Sequence, residues 1–148
     1  MAKQLEVRSE PAPTVSGHLV LLLVPRVHRG IASALEYAKL LHGECQAVHI
    51  TINEKGLPEL QRQWTQISKD VDLVVLPSPY RSLIGPMLDY VDKLREDRPG
   101  LLITVVVAEA VSTKWYQRLL TDSVAQQLKS ALASRKNVIV ANVRYFLN

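Results

Sequence analysis

The stretch Val71 to Leu94, VDLVVLPSPYRSLIGPMLDYVDKL, limits the possible folds more than any other part of the chain. Leu73-Val74-Val75-Leu76 is an unbroken apolar run of strand length, the pattern of a parallel strand buried on both faces. Pro77 and Pro79 stop it, because neither donates a ladder hydrogen bond and each drives the preceding residue into an extended conformation. Leu83, Ile84, Met87, Leu88, Val91 and Leu94 then recur at helical spacing, leaving Asp89, Asp92, Lys93 and Arg95 for solvent. Pro86 suits a first helical turn, so the helix starts between Ser82 and Gly85. This strand, rigid loop and helix place Ser78, Tyr80, Arg81 and Ser82 at the carboxyl end of a strand, where open α/β sheets bind ligands.

The flanking sequence repeats the pattern. His18 to Val24 is a buried strand ended by Pro25, and Ile31, Ala34, Leu35, Ala38 and Leu41 form the inner stripe of the next helix, with Gly43 as its C-terminal cap. Gln46 to Ile52 alternates as a second strand, and a short helix follows with Leu57, Leu60, Trp64 and Ile67 on one face. Asp97-Arg98-Pro99-Gly100 is a turn into the fourth strand, Leu101 to Val107. Ala108 to Lys114 reads as a loop, and a helix carrying Leu120, Val124, Leu128, Ala131 and Leu132 inward leads to strand five, Val138 to Tyr145. Strict alternation of strands and helices implies an α/β fold, a five-stranded parallel Rossmann-like sheet with helices on both faces and right-handed crossovers. Residues 1–17, with Pro11, Pro13, Ser9 and Ser16, read as a linker or disordered arm, and residues 18–148 as one domain.

No apolar run approaches the roughly 20 residues that cross a membrane, and the amino terminus lacks the apolar core of a signal peptide. Cys45 stands alone, which rules out a disulfide framework and a cysteine-rich zinc site. A cytoplasmic setting is expected. The net charge is +4, and the basic excess between Ser112 and Lys136 equals that total. Such a segment suits a solvated helix face, an anionic partner or an anionic leaflet. Nothing in it points to nucleic acid.

No catalytic set is present: GxSxG, HExxH, CxxC and GxxxxGK[ST] do not occur, and His18, His28, His42 and His49 lack metal-ligand spacing. Two loops carry the candidate chemistry. Pro25 to Gly30 runs from the first strand to a helix N-terminus, where free amides and the helix dipole favour an anion, and Arg26, His28, Arg29 and Gly30 lie in it. In Ser78 to Ser82, Tyr80 suits stacking on a ring and Arg81 a fork onto phosphate, flanked by Ser78 and Ser82. Each loop has a structural reading too: prolines shape the turns, Ser82 caps its helix, and Arg29 pairs with Glu36 or Asp89. Ala108 to Lys114 contains no glycine, so it does not form the backbone cradle of a triphosphate.

The size and order of elements resemble the universal stress protein superfamily (an adenine nucleotide alpha hydrolase-like fold), some of whose members bind ATP through a glycine-containing loop after strand four. A closer resemblance rests on Val27-His28-Arg29-Gly30 with Ala34-Leu35-Glu36-Tyr37-Ala38, on Ser78-Pro79-Tyr80-Arg81-Ser82-Leu83-Ile84-Gly85-Pro86 with Asp89, Tyr90 and Asp92, and on Val138 to Tyr145. These segments look like the cytosolic C-terminal domain of bacterial permeases of the amino acid–polyamine–organocation (APC) superfamily, a group that includes amino-acid-permease-like proteins and a potassium importer. The resemblance spans Gly17 to Leu147. It implies a non-catalytic regulatory domain that partners a permease membrane domain and forms a homodimer. Strand five, rich in Val and Ile, is the edge expected to pair with a second copy. No motif demands a cofactor. An adenine nucleotide or a cyclic dinucleotide is the ligand class for the two loops, and a free-standing nucleotide-binding stress protein is the rival reading.

Overall fold

The computed structural model describes residues 16–25, 27, 29–51, 54–78, 82–112 and 124–147, with side chains left undescribed at 29, 109–112, 124–125 and 144–147. In chain order the elements are β1 (Gly17–Leu23), α1 (Arg29–Leu40), β2 (Glu44–Thr51), a 3-10 turn (Glu54–Gly56), α2 (Leu57–Ile67), β3 (Leu73–Pro77), α3 (Ile84–Asp97), β4 (Leu101–Ser112), α4 (Val124–Leu132) and β5 (Val138–Leu147). The strands form one five-stranded sheet in the order β3-β2-β1-β4-β5, and every pairing is parallel. The α/β class and the parallel sheet are as expected from the alternation of elements.

The centre is β1, whose near-continuous apolar sequence is explained by burial on both faces. Leu19, Leu21 and Leu23 face a cluster with Met87 and Val91 of α3 and Leu128 and Leu132 of α4. Val20, Leu22 and Val24 face the opposite cluster, with Ile31, Ala34, Leu35 and Ala38 of α1 and Trp64 of α2. Residues two apart on a strand share a face, so one run of six apolar residues anchors both helical layers.

Several expectations change. Leu73 to Leu76 belong to an edge strand and are half-buried, not sealed on both faces. Their apolar character reflects packing against one neighbour, β2, and the helices. The ladder with β1 draws Glu44 and Cys45 into β2, two residues earlier than alternation suggested. The Ala108 to Lys114 loop is overturned over its first part: Ala108 to Ser112 continue β4, each paired with β5 from Val143 to Leu147. β1 has its last partner at Val107, so beyond that level β4 and β5 run on together as a two-stranded ribbon. Residues 113–123, which include part of the expected last helix, and residues 1–15 of the expected arm 1–17 lie outside the described residues; Gly17, expected to end the arm, instead opens β1, where it pairs with Leu101.

Gly43 does not cap α1 through a left-handed conformation. His42 takes that role with φ 52°, and a Cβ on Gly43 would meet the carbonyl oxygen of His18 at 2.7 Å. His18 is the reason for the close approach. Its Nδ1 donates to the Leu41 carbonyl at 3.1 Å, and in the neutral ring its Nε2 accepts from Thr104 Oγ1 at 2.8 Å. The imidazole thereby ties the end of α1 to β4.

Candidate functional site

Because all strands are parallel, their carboxyl ends share one edge of the sheet. The order reverses between β1 and β4, the switch point at which such sheets open a crevice. The loop after β1 leads into α1, and the loop after β3 leads into α3. β2 lies between these strands, so the two loops begin about 10 Å apart, two inter-strand spacings.

Of the candidate residues, Arg26, His28, Tyr80 and Arg81 lie outside the described residues. Arg29 opens α1, and Gly30 is buried in its first turn. Neither α1 nor α3 has an acidic residue in its first turn, which leaves the positive ends of both dipoles unneutralised from within. Ser78 and Ser82 bind each other. Ser78 Oγ donates to the Ser82 carbonyl at 2.8 Å and accepts from the Ser82 amide at 2.9 Å. Ser82 Oγ in turn accepts from the Gly85 amide at 3.2 Å, serving the start of α3 as its sequence position suggested. These contacts tie the residue that follows β3 to the residues that open α3.

Between the strands that precede the two loops lies β2, which carries polar residues of its own. On the period of β2, His49 and Thr51 share the α1 and α2 face with Ala47. His49 Nδ1 donates to the Val24 carbonyl at 2.8 Å, which fixes the proton on that nitrogen. Thr51 is 6% exposed, and its Oγ1 has no hydrogen-bond partner among the described residues. A buried hydroxyl left unpaired costs about 1–3 kcal/mol. Its backbone is nevertheless fixed, since the Ser78 amide donates to the Thr51 carbonyl at 3.0 Å. The signal in the sequence was the pair of polar residues at the end of VHIT, where the face otherwise asks for apolar side chains.

Elsewhere the described chemistry is quiet. Burial pushes the Cys45 thiol above its ordinary range, with Lys39 offsetting part of that effect, so it is a weak nucleophile at neutral pH. Among the described residues no three His, Cys, Asp or Glu side chains are placed to hold a metal, and no helix is long and apolar enough to cross a membrane. A cleft of about 330 Å³ lined by Trp64, Ser68, Lys69 and Asp72 sits beside the start of β3, at the opposite edge of the sheet from both loops. What the strand-end edge offers is hydrogen bonding and helix-dipole attraction for a bound molecule.

Residues 16–145 match the model of the KimA potassium transporter C-terminal domain. The chain belongs to that family. It is also similar to the potassium transporter KimA of Bacillus subtilis (strain 168), with 23% identity over 147 residues, covering 98% of this chain and 24% of that protein. The chain therefore spans about a quarter of the relative's length. The KimA C-terminal domain match begins at Ser16, next to the first residue of β1, and ends within β5, so it embraces every strand of the sheet.

Proposed function

We propose that this chain is a non-catalytic regulatory and dimerising domain on the cytoplasmic side of an APC-type potassium transporter, which senses an adenine nucleotide or cyclic dinucleotide. The observation that carries this reading is the family match over residues 16–145, a domain named for its place at the C-terminal end of a potassium transporter. The named relative favours potassium over an amino acid as the solute of the parent protein. Its membrane part is the natural partner of this domain.

A universal-stress-protein-like assignment is supported by the five parallel strands with helices on both faces. Nucleotide sensing is supported by the placement of two loop-to-helix junctions at the carboxyl edge of that sheet, two strands apart and leading to helices on opposite faces, with Arg26, His28, Arg29, Gly30, Ser78, Tyr80, Arg81 and Ser82 as the contributing residues. Arg29 and Arg81 supply charge for phosphate, and Tyr80 supplies a stacking face for a base. Ser78 and Ser82, which bind each other, flank Tyr80 and Arg81 in the sequence.

The test is the melting temperature of the purified chain against ATP, AMP and cyclic dinucleotides, with inorganic phosphate as the anion control. A ligand that binds the folded state alone adds about 2.7 kcal/mol of stability at one hundred times its dissociation constant. A nucleotide-dependent rise that is lost in Arg29→Ala or Arg81→Ala supports a sensor. No rise with any nucleotide at millimolar concentration removes the sensing part and leaves a dimerising interaction domain.

A further inference from the structure

The cleft between the end of α2 and the start of β3, at the amino edge of the sheet, is lined by described residues and plays no part in the nucleotide reading. The fold holds its walls in place. Trp64 Nε1 donates to the Val71 carbonyl at 2.8 Å, and the Val71 amide donates to Ser68 Oγ at 3.2 Å. The Ser68 amide in turn closes α2 on the Trp64 carbonyl at 2.9 Å. The volume of about 330 Å³ lies at the low end of the roughly 300–1,000 Å³ found for small-molecule pockets. Two opposite charges, Lys69 and Asp72, border the cleft and are exposed. Neither forms an ion pair or a hydrogen bond with the other or with any other described residue. The backbone of Leu73 adds a donor. The Asp72 carbonyl accepts from the Ala47 amide at 2.8 Å, so by the alternation of a parallel ladder the Leu73 amide turns away from β2. β3 is an edge strand, and among the described residues no strand covers that side.

We infer that this cleft binds a free α-amino acid by its zwitterionic head, with the carboxylate on the Lys69 ammonium and the Leu73 amide and the ammonium on the Asp72 carboxylate. A simple anion would meet Lys69 but also face Asp72, and a simple cation the reverse. A molecule that carries both charges satisfies both groups. The carboxyl end of α2 brings carbonyls without helical partners and the negative end of its dipole to the cleft, which favours the ammonium. Ser68, only 8% exposed, accepts from the Val71 amide and keeps its hydroxyl hydrogen for a carboxylate oxygen. Beyond the charged groups the walls include Trp64, Val71 and Leu73, which suit an apolar side chain. The site is independent of the nucleotide reading and lies at the opposite edge of the sheet.

The test is isothermal titration calorimetry of the purified chain with L-leucine, L-valine and L-phenylalanine, and with two analogues of leucine that lack one charge each. Leucinamide has no carboxylate and N-acetyl-leucine no ammonium. The amino acid that binds best is expected to be among the three, and leucine to bind roughly tenfold more tightly than either analogue. Lys69→Gln is expected to weaken leucine roughly tenfold while leaving leucinamide as in the parent. Asp72→Asn is expected to weaken leucine to a similar extent while leaving N-acetyl-leucine as in the parent. Both side chains are exposed, so the two variants are expected to melt at the parent's temperature. No binding of any of the three amino acids in the millimolar range would overturn the inference. So would analogues that bind as well as leucine, variants that bind leucine as the parent does, or a marked fall in melting temperature on removing either charge. None of these results touches the response to nucleotides.

Discussion

Gly43 shows how a residue can be legible in position and misread in cause. A glycine after an apolar helical stripe suggests a left-handed cap, yet His42 holds that conformation, and Gly43 is required by the backbone of His18 passing at 2.7 Å from where its Cβ would be. No local pattern reveals a contact between residues so far apart in sequence. Gly43→Ala is expected to destabilise the fold by about 1–3 kcal/mol, the usual cost of overpacking, seen as an earlier urea midpoint with an unchanged slope. Trp64 was placed correctly on the inner face of its helix, and the structure adds its polar function: Nε1 donates to the Val71 carbonyl at 2.8 Å. Trp64→Phe strands that buried acceptor and is expected to cost about 1–3 kcal/mol. A midpoint equal to the parent's would mean that water replaces the indole. Among the candidate ligand residues, Ser82 was legible as a helix starter because the position of Pro86 fixes the first turn. The buried hydroxyl of Thr51 was not legible, since its lack of a partner among the described residues is a property of three-dimensional surroundings.

At the scale of elements, apolar runs and helical stripes identified every strand and helix that is described, because each is organised by burial. The strand ends were less legible. Ala108 to Ser112 contains Glu109 and Ser112 and looks like a loop, but pairing with Val143 to Leu147 keeps it extended. A partner strand thirty-odd residues away leaves no mark on local composition. α3 is joined to the turn after α4 by a bidentate pair, with Arg135 Nε donating to Asp92 Oδ1 at 2.8 Å and Nη2 to Oδ2 at 3.0 Å. Arg135 Nη1 also donates to the Ala131 carbonyl, closing the end of α4. The hydrogen bond from Arg135 holds the Asp92 carboxyl below its ordinary range. A carboxylate depressed in the folded state stabilises above its unfolded value and loses that contribution as pH falls through its folded value. Asp92→Asn is therefore expected to lower stability at pH 7 by no more than about 1 kcal/mol, given the exposure of the pair. The gap between variant and parent closes only as pH falls below the ordinary aspartate value. A gap that persists in acid would assign Asp92 a packing role independent of charge.

For the molecule as a whole, the order of strands decides which surfaces remain open. β5 is an edge as expected, and Ile139 near its start is 51% exposed. α1 runs antiparallel to the strands and packs over β5, so Leu40 at its end, 71% exposed, belongs to the same face and the same end of the sheet as Ile139. Tyr37, one turn earlier in α1, is exposed as well. Such a surface supports pairing with a second copy, and a charge on an edge strand is the natural way to block it. Ile139→Lys is expected to convert a dimer into a monomer in sedimentation velocity while leaving the melting temperature of the monomer unaltered. A parent chain that is already monomeric at tens of micromolar would remove edge pairing from the account. The ribbon formed by the ends of β4 and β5 has a separate consequence, in the exchange of amide hydrogens with solvent. From Val107 back to Ile103, β4 is flanked by β1 and β5, and its amides have partners on both sides. From Ala108 to Ser112 the β1 side is vacant among the described residues, and in a parallel strand successive amides point to opposite sides. Deuterium uptake along this one strand is therefore expected to change from uniformly slow to an alternation of slow and fast, with the break at the residue where β1 ends.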